Sequence, residues 1–157
     1  MQLIEPGMEL ILWRHAEAED GFPDMARVLT DKGQTQAADM AAWLKKRLPA
    51  DTRILASPAV RTQQTVSALT KDFNTVETIA PGADAGAILS AAGWPKAGGT
   101  VLIVGHQPTL GEVLALLLAN QYNSWGVKKG AIWWLATRKR GNASETILKA
   151  ALTPELL

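Results

Sequence analysis

Two histidines and two arginines occupy positions from which their side chains could act together on an anion. Arg14 and His15 directly follow a short apolar run, and His106 follows a second such run after one glycine. Arg61 comes four residues after Ser57, which itself follows a third short run. The 157 residues contain no other histidine. All the imidazole groups of the chain therefore lie just after segments that are typical of buried strands.

This set of side chains suits a phosphoryl group. Two guanidinium groups present forked donors that match the oxygens of a phosphate. A neutral imidazole can attack phosphorus and form a phosphohistidine intermediate, and a second, protonated imidazole can hold an oxygen on which charge develops. The positive charge of nearby arginines lowers the pKa of His15 and keeps it neutral near pH 7. Such a site needs no metal and no cofactor.

The composition excludes several other kinds of protein and site. Because the chain has no cysteine, it can hold no disulfide, thiolate metal site or cysteine nucleophile. Its 16 Lys and Arg against 15 Asp and Glu give a formal net charge of +1, which indicates neither nucleic acid nor a membrane surface as a partner. The longest apolar segment, Val113–Ala119, is too short to span a bilayer. We expect a cytoplasmic protein.

Hydrophobic periodicity and turn residues predict alternating strands and helices. Thr30 is placed to cap the first helix, and Ser57 to cap the second with Pro58 at its first position. The predicted strands are Glu9–Trp13, Arg53–Ala56, Thr75–Ile79, Thr100–Val104, Ala131–Thr137 and Glu145–Ala151. The predicted helices are Asp31–Leu48, Ala59–Lys71, Asp84–Ala92 and one that is opened by Pro108.

This order of elements predicts an α/β fold, a three-layer α/β/α sandwich around a largely parallel central sheet with a late antiparallel element. Residues 8–157 are predicted to form a single domain, and residues 1–7 an N-terminal extension, because Pro6-Gly7 marks a turn. In open sheets of this kind, ligands bind outside the carboxyl ends of the strands. The two histidines and the two arginines are therefore expected to converge on one small pocket.

Three motifs give the chain a family resemblance. Leu12–Ala16 resembles the Arg-His-Gly signature of the histidine phosphatase superfamily, with Ala16 in place of the glycine. Ser57–Arg61 resembles the second arginine motif of that family, and Val104–Pro108 resembles its second histidine motif. The spacing, without a large helical insertion, is most similar to that of the short SixA-type phosphohistidine phosphatases. The resemblance runs from about Met8 to the C-terminus.

The resemblance implies roles for individual residues. His15 would be the nucleophile, and Arg14, Arg61 and His106 would bind and stabilise the phosphoryl group during a two-step transfer to water. Arg27 and Gln107 are further candidates for substrate binding. The alternative for Arg27 is an ion pair with Asp24, three residues earlier.

The sequence leaves the general acid open. Larger relatives carry an acidic residue in an inserted region that this chain lacks. Asp84, Glu17 and Glu19 are the candidates here, although Asp84 is equally suited to begin a helix, and Glu17 and Glu19 to lie solvated in a loop. A phosphohistidine substrate has a nitrogen leaving group that protonates readily, so it needs less help from an acid.

Four functions are compatible with these residues to different degrees. The first is a metal-independent phosphatase acting on protein phosphohistidine, with a histidine-phosphorylated protein as partner and phosphate or sulfate bound in the pocket. The second is a phosphatase of the same superfamily acting on a small phosphate ester, and the third a module that only binds phosphate or a phosphoprotein. The fourth, a metallohydrolase, is disfavoured because zinc sites take three or four protein ligands and two arginines would repel the cation.

Overall fold

A computed structural model describes residues 7–157 of the chain. Residues 1–6 of the predicted N-terminal extension lie outside the described residues. The six strands are β1 (Glu9–Arg14), β2 (Arg53–Ala56), β3 (Asn74–Thr75), β4 (Thr100–Gly105), β5 (Ile132–Arg140) and β6 (Ala143–Leu152). The four α-helices are α1 (Asp31–Lys45), α2 (Val60–Ser67), α3 (Ala85–Ala92) and α4 (Thr109–Ala119).

The six strands form one sheet in the order β3-β2-β4-β1-β5-β6. The four strands β3, β2, β4 and β1 run parallel, and β5 and β6 follow antiparallel as a hairpin. Two separate cores lie on the two faces of the sheet. One face packs against α3 and α4, and the other packs against α1 and α2. The predicted three-layer α/β/α sandwich with a late antiparallel element is confirmed.

The nearly continuous apolar runs form the central strands, as expected for strands buried on both faces. In β1, Leu10 and Leu12 enter the core beside α3 and α4, while Ile11 and Trp13 enter the core beside α1 and α2. The central strand β4 is buried along its whole length. This packing gives the neighbouring ends of β1, β4 and β2 a rigid support.

Several predicted boundaries differ from those of the structure. The third strand is predicted over Thr75–Ile79, whereas the observed strand β3 is only two residues long. It pairs at the sheet edge with β2 alone, and the chain then enters a 3-10 turn over Glu77–Ile79. The first helix ends at Lys45, where Arg47 and Leu48 both donate backbone hydrogen bonds to Leu44 and so close the last turn.

The second helix begins later than predicted. It starts at Val60, and its N-cap is Ala59 rather than Ser57. The Ser57 hydroxyl accepts a hydrogen bond from the Ala59 backbone N–H at 3.2 Å, before the helix begins, and contacts a histidine as described below. The predicted capping role of Ser57, with Pro58 in the first turn, is therefore wrong.

Candidate active site

The carboxyl ends of β1, β4 and β2 lie side by side. Arg14 and His15 lie at the end of β1, His106 follows β4, and Arg61 lies in the first turn of α2, the helix after β2. Arg14 on β1 is in register with Gly105 on β4, and Val104 on β4 is in register with Ala56 on β2. The backbone pairing continues one residue beyond the strands, since the N–H of His15 donates to the oxygen of Gly105 at 3.1 Å. The strand order therefore brings the two histidine motifs next to each other.

The orientation of the His15 ring follows from one backbone contact. Its Nδ1 lies 2.8 Å from the carbonyl oxygen of Ala16. A carbonyl can only accept, so Nδ1 carries a proton and donates. The pKa of His15 falls from 6.5 to about 4, first because the ring is buried, while the bond to Ala16 opposes this fall and the arginines add to it. A neutral ring with its proton on Nδ1 has a free lone pair on Nε2.

His106 lies beside His15, with the ring centroids 5.4 Å apart. Its Nε2 is 2.7 Å from the hydroxyl oxygen of Ser57. Burial is the main reason that the pKa of His106 falls to about 3, and the proximity of His15 and Arg61 lowers it further. His106 is therefore neutral at pH 7 in this site, whereas the protonated ring is expected while charge develops on a bound phosphoryl group. A bound dianion would raise this pKa.

Backbone and carboxylate oxygens hold the ends of the two guanidinium groups. Nη1 of Arg14 donates to the carbonyl oxygen of Val127 at 2.7 Å. Nη1 of Arg61 donates to the carbonyl oxygen of Asp24 at 2.9 Å, and Nη2 donates to a carboxylate oxygen of the same residue at 3.1 Å. Burial lowers the pKa of Arg14, and the charge of Arg61 lowers it further. The two cations are thus close enough to favour an anion between them.

Unpartnered nitrogens concentrate at this site. Among residues 7–157, four buried side-chain nitrogens have no hydrogen-bond partner, and three of them are Nε of Arg14, Nε of Arg61 and Nδ1 of His106. Leaving such a group unsatisfied costs about 1–3 kcal/mol. An oxyanion supplies acceptors for donors of this kind. The arrangement therefore fits a ligand with several anionic oxygens.

Arg27 is held at the edge of the site by an ion-pair network. Its Nε donates to the backbone oxygen of Glu19, and its Nη1 donates to the Asp24 carboxylate at 3.1 Å. The same carboxylate binds Arg61, so Asp24 connects the two arginines. Hydrogen bonding by Arg27 is the first cause that lowers the pKa of Asp24. The sequence considered Asp24 only as an ion-pair partner of Arg27 and missed its contact with Arg61.

Gln107 joins two parts of the chain beside the second histidine. Its side-chain amide nitrogen donates to the oxygen of Trp125 at 2.8 Å, and its amide oxygen accepts from the N–H of Gly111 at 2.6 Å. Both ends of the amide therefore bind within the chain. This places Gln107 as a support for the segment that leads to Val127 and hence to Arg14.

Two of the candidate acids, Asp84 and Glu17, take part in helix capping contacts. Asp84 caps α3, since its carboxylate accepts from the N–H of Ala87 at 2.9 Å. The carboxylate of Glu17 accepts from the hydroxyl of Thr30, which is itself the N-cap of α1. Neither carboxylate has a hydrogen bond to His15 or His106.

Two buried hydroxyls at the site were missed by sequence reasoning. Thr65 accepts a hydrogen bond from the N–H of Ala16 at 3.0 Å and donates to the oxygen of Arg61 at 2.7 Å, so it joins the loop after His15 to α2. Ser57 contacts His106. The motif around Ser57 is visible in the sequence, but the contact depends on β2 and β4 being neighbours.

Two further features bear on the alternatives. No group of three or more His, Asp or Glu side chains that could hold a metal ion occurs among the described residues. None of the helices in the same part of the chain is long and apolar enough to cross a membrane.

Comparisons with known proteins place this site in a family. Residues 10–82 match the family model of the histidine phosphatase superfamily (branch 1). The phosphohistidine phosphatase SixA homolog of Haemophilus influenzae is 32% identical in an alignment of 162 positions that covers 92% of this chain and 96% of that protein. The phosphohistidine phosphatase SixA of Escherichia coli is 29% identical in an alignment of 119 positions that covers 70% of this chain and 74% of that protein.

Solved structures agree with this fold. The putative phosphohistidine phosphatase SixA from Nakamurella multipartitia superposes with a TM-score of 0.76 at 26% identity, covering 96% of this chain and 98% of that one. The protein histidine phosphatase SixA complexed with tungstate has a TM-score of 0.76 at 23% identity, covering 95% and 99% of the two chains. The chain therefore belongs to the histidine phosphatase superfamily, in its SixA-type branch, and is a phosphatase.

Proposed function

We propose that the protein removes phosphoryl groups from phosphohistidine on a protein substrate, through a covalent phospho-His15 intermediate and without a metal ion. The observation that carries this proposal is the bond between Nδ1 of His15 and the carbonyl oxygen of Ala16. It fixes the proton on Nδ1 and leaves the Nε2 lone pair for attack. Arg14, Arg61 and His106 each have a buried nitrogen without a partner, which supports a role for them in binding the phosphoryl oxygens.

In the first step, Nε2 of His15 attacks phosphorus and forms a P–N bond. The P–N bond to the substrate imidazole breaks, and the bonding electrons leave with that imidazole. Arg14, Arg61 and His106 stabilise the charge that spreads over the three equatorial oxygens of the phosphoryl group.

In the second step, water attacks the phosphorus of phospho-His15. A P–O bond forms, the P–N bond to His15 breaks, and the water loses a proton to solvent. Inorganic phosphate leaves, and the ring returns to its neutral form with the proton on Nδ1.

The acids of this site agree with a nitrogen leaving group. Asp84 and Glu17 are engaged in caps, and the lowered pKa of Asp24 keeps its carboxylate ionised at pH 7. An alkoxide leaving group would need strong acid catalysis, whereas an imidazole can take its proton from solvent. Hydrolysis of phosphohistidine by this chain therefore requires neither Asp84 nor Glu17 as general acid.

The surroundings of the site support a protein substrate. Phe22 is 97% exposed and precedes Asp24, the residue that binds Arg61, by two positions. Met25 and Val28 in the same loop are also exposed. Several exposed apolar side chains in one loop beside a site favour contact with another protein surface. The relatives named as phosphohistidine phosphatases point to the same substrate class.

The experiment that tests this function is trapping of the phosphoenzyme. The protein is incubated with phosphoramidate, quenched in alkali, and examined by mass spectrometry for an acid-labile phosphoryl group. The group is expected on His15, and with only two histidines in the chain the assignment needs only to distinguish His15 from His106. His15→Asn should abolish the adduct and the turnover.

The matched control is His106→Asn, which keeps the nucleophile. This variant should still form the adduct at position 15, only more slowly, because it loses one stabilising group. Rates on a phosphohistidine peptide, a phosphoserine peptide and a sugar phosphate then separate the substrate classes. An adduct on His106, or wild-type turnover by His15→Asn, would refute the mechanism. Faster hydrolysis of the ester would refute the substrate class alone.

A further inference from the structure

Ser57 is a fully buried hydroxyl residue whose position is fixed from several sides. Its N–H donates to the oxygen of Val104 at 3.2 Å, which ties it to β4. Its carbonyl oxygen accepts from the hydroxyl of Thr62 at 2.9 Å and from the side-chain amide of Gln63 at 2.8 Å. Ser57 is 0% exposed. Its hydroxyl therefore has a rigid support as it meets the ring of His106.

The hydroxyl has two neighbours. It accepts from the N–H of Ala59 at 3.2 Å, and its oxygen lies 2.7 Å from Nε2 of His106. The second contact can run in either direction, because a hydroxyl both donates and accepts while each nitrogen of a neutral imidazole does only one of these. Which direction is adopted decides which nitrogen of His106 carries the proton.

Counting donors and acceptors separates the two cases. If Nε2 of His106 carried the proton, it would donate to Ser57, and the Ser57 proton would have no acceptor among the described residues. The lone pair of Nδ1 would also remain without a partner. If Ser57 donates to Nε2 instead, only the N–H of Nδ1 is left unsatisfied. The second case leaves one buried group unpaired rather than two, and each such group carries a penalty.

We propose that Ser57 is a positioning residue which donates its hydroxyl proton to Nε2 of His106 and thereby fixes the proton of that ring on Nδ1. The consequence for the site rests on the proposed function: an Nδ1–H bond is a donor for a phosphoryl oxygen. The opposite tautomer would present a lone pair, which repels an oxyanion. Ser57 thus converts the second histidine into an anion-binding group while it is still neutral.

The same contact gives the two histidines matching proton positions by different means. A backbone carbonyl, that of Ala16, holds the proton of His15 on Nδ1. A side-chain hydroxyl holds the proton of His106 on Nδ1. In His15 this frees Nε2 as a nucleophile, whereas in His106 it supplies a donor. The two rings are therefore assigned different roles by their hydrogen-bond partners rather than by their charge.

The test begins with the wild-type protein. Long-range 1H–15N correlation spectra of uniformly 15N-labelled protein at pH 7 distinguish protonated from unprotonated ring nitrogens. We expect Nδ1 of His106 to be protonated and Nε2 to be unprotonated. The opposite result would overturn the proposal, whatever the activity of the enzyme. His15→Asn leaves one histidine in the chain and secures the assignment of its signals.

The variant Ser57→Ala removes the donor. The proton of His106 should then distribute over both ring nitrogens, and the affinity for inorganic phosphate should fall about tenfold, as expected for loss of a hydrogen bond to a charged group. With a phosphohistidine peptide as substrate, kcat should fall by a larger factor than KM rises, because charge on the phosphoryl oxygens grows in the transition state.

Thr100→Val is the matched control. The Thr100 hydroxyl is also buried, but it lies at the start of β4, at the end opposite His106, and donates to the Glu9 carboxylate. This variant should lose stability while it keeps the tautomer and the phosphate affinity of the wild type. An equal loss of affinity in both variants would show that Ser57 acts through packing alone, and would overturn the proposal. Failure of the proposed function would appear separately, as the absence of a phospho-His15 adduct.

Discussion

The rings of His15 and His106 face each other at the ends of two adjacent parallel strands, with centroids 5.4 Å apart and planes tilted by 51°. Each ring is buried, and each lies near arginine side chains. A proton on one ring disfavours a proton on the other at this distance. The neutral pair is thus the ground state of the site at pH 7.

Acidification is expected to destabilise the protein through His15. The pKa of this ring is about 4 in the folded protein, against 6.5 for a histidine that is exposed to water. Between these values the unfolded chain binds more protons than the folded one, so the free energy of unfolding falls as the pH drops. The loss attributable to His15 reaches about 3 kcal/mol at pH 4. Urea denaturation at a series of pH values measures it.

Carboxylates also titrate toward pH 4, so the comparison with a variant isolates the histidine. In His15→Asn, the side-chain amide can still donate to the oxygen of Ala16, but it cannot take up a proton. The difference in unfolding free energy between wild type and variant should shrink as the pH falls from 7 to 5, where carboxylates contribute less. A difference that stays constant over this range would contradict a neutral, buried His15.

Arg61→Lys is expected to weaken phosphate binding by about tenfold or more, since a lysine cannot reproduce the two parallel donors of a guanidinium. Arg61 binds Asp24 through Nη1 and Nη2 and has an Nε without a partner, so one ammonium group cannot replace all three nitrogens. Isothermal titration with inorganic phosphate measures the loss. The control is Arg53→Lys, because Arg53 begins β2 and donates to the oxygen of Ala92. Equal losses would contradict the assignment.

Asp24→Asn is expected to strengthen the binding of inorganic phosphate by about threefold, in line with removal of one like charge near a partly exposed site. The asparagine oxygen can still accept from Arg61, and the backbone oxygen at position 24 keeps its bond to Nη1. Geometry is thus retained while one negative charge is lost. The gain should shrink at high salt. A loss of affinity would instead show that the carboxylate is needed to orient Arg61.

The sequence predicts the core of the site because three of its four residues lie at strand ends and Arg61 lies in the first turn of the helix after β2. One buried strand ends at Arg14 and another at Gly105, and these ends fix where the next side chains lie. The hydrogen-bond partners of those side chains could not be predicted in the same way. Val127 binds Arg14 across 113 positions of sequence, and this contact depends on the path of the loop after α4. No local pattern encodes such a path.

The hydrogen-bond partner of Ser57 is a second feature that the sequence does not predict. The pattern around Ser57 predicts a helix cap, because Ser before Pro is common at that place. The sheet order puts β4 beside β2, and the hydroxyl binds His106 instead. Likewise, the protonation expected for His106 assumed a bound anion. Without that anion, burial of the ring lowers its pKa and keeps it neutral at pH 7.

Gly111→Ala is expected to weaken both the fold and phosphate binding. A Cβ at Gly111 would lie 1.9 Å from the backbone oxygen of Trp125, so the loop would have to move. That loop carries Val127, which holds Arg14. We expect a loss of about 2 kcal/mol or more in the free energy of unfolding, together with a lower phosphate affinity.

The control for this change lies in another helix. Gly86→Ala places its Cβ no closer than 3.4 Å to a neighbouring atom, the carboxylate oxygen of Asp84. Alanine is the better helix former, so this variant should gain about 0.5–1 kcal/mol and leave phosphate affinity unchanged. Thermal denaturation and isothermal titration measure both properties. Unaltered binding in Gly111→Ala would show that the loop does not support Arg14.

Phe22→Ser is expected to separate protein substrates from small ones. The ring is 97% exposed, so its removal costs the folded state little. If a protein substrate rests on this loop while its phosphohistidine enters the site, KM for a phosphohistidine-bearing protein should rise by about 5- to 30-fold, which corresponds to the 1–2 kcal/mol of one lost apolar contact. The rate with phosphoramidate should not change.

The matched control is Tyr122→Ser, because Tyr122 is 94% exposed and lies in the segment after α4. Equal effects of Phe22→Ser on both substrates would place the ring in the catalytic site rather than on a docking surface, and no effect on either would argue for a small-molecule substrate.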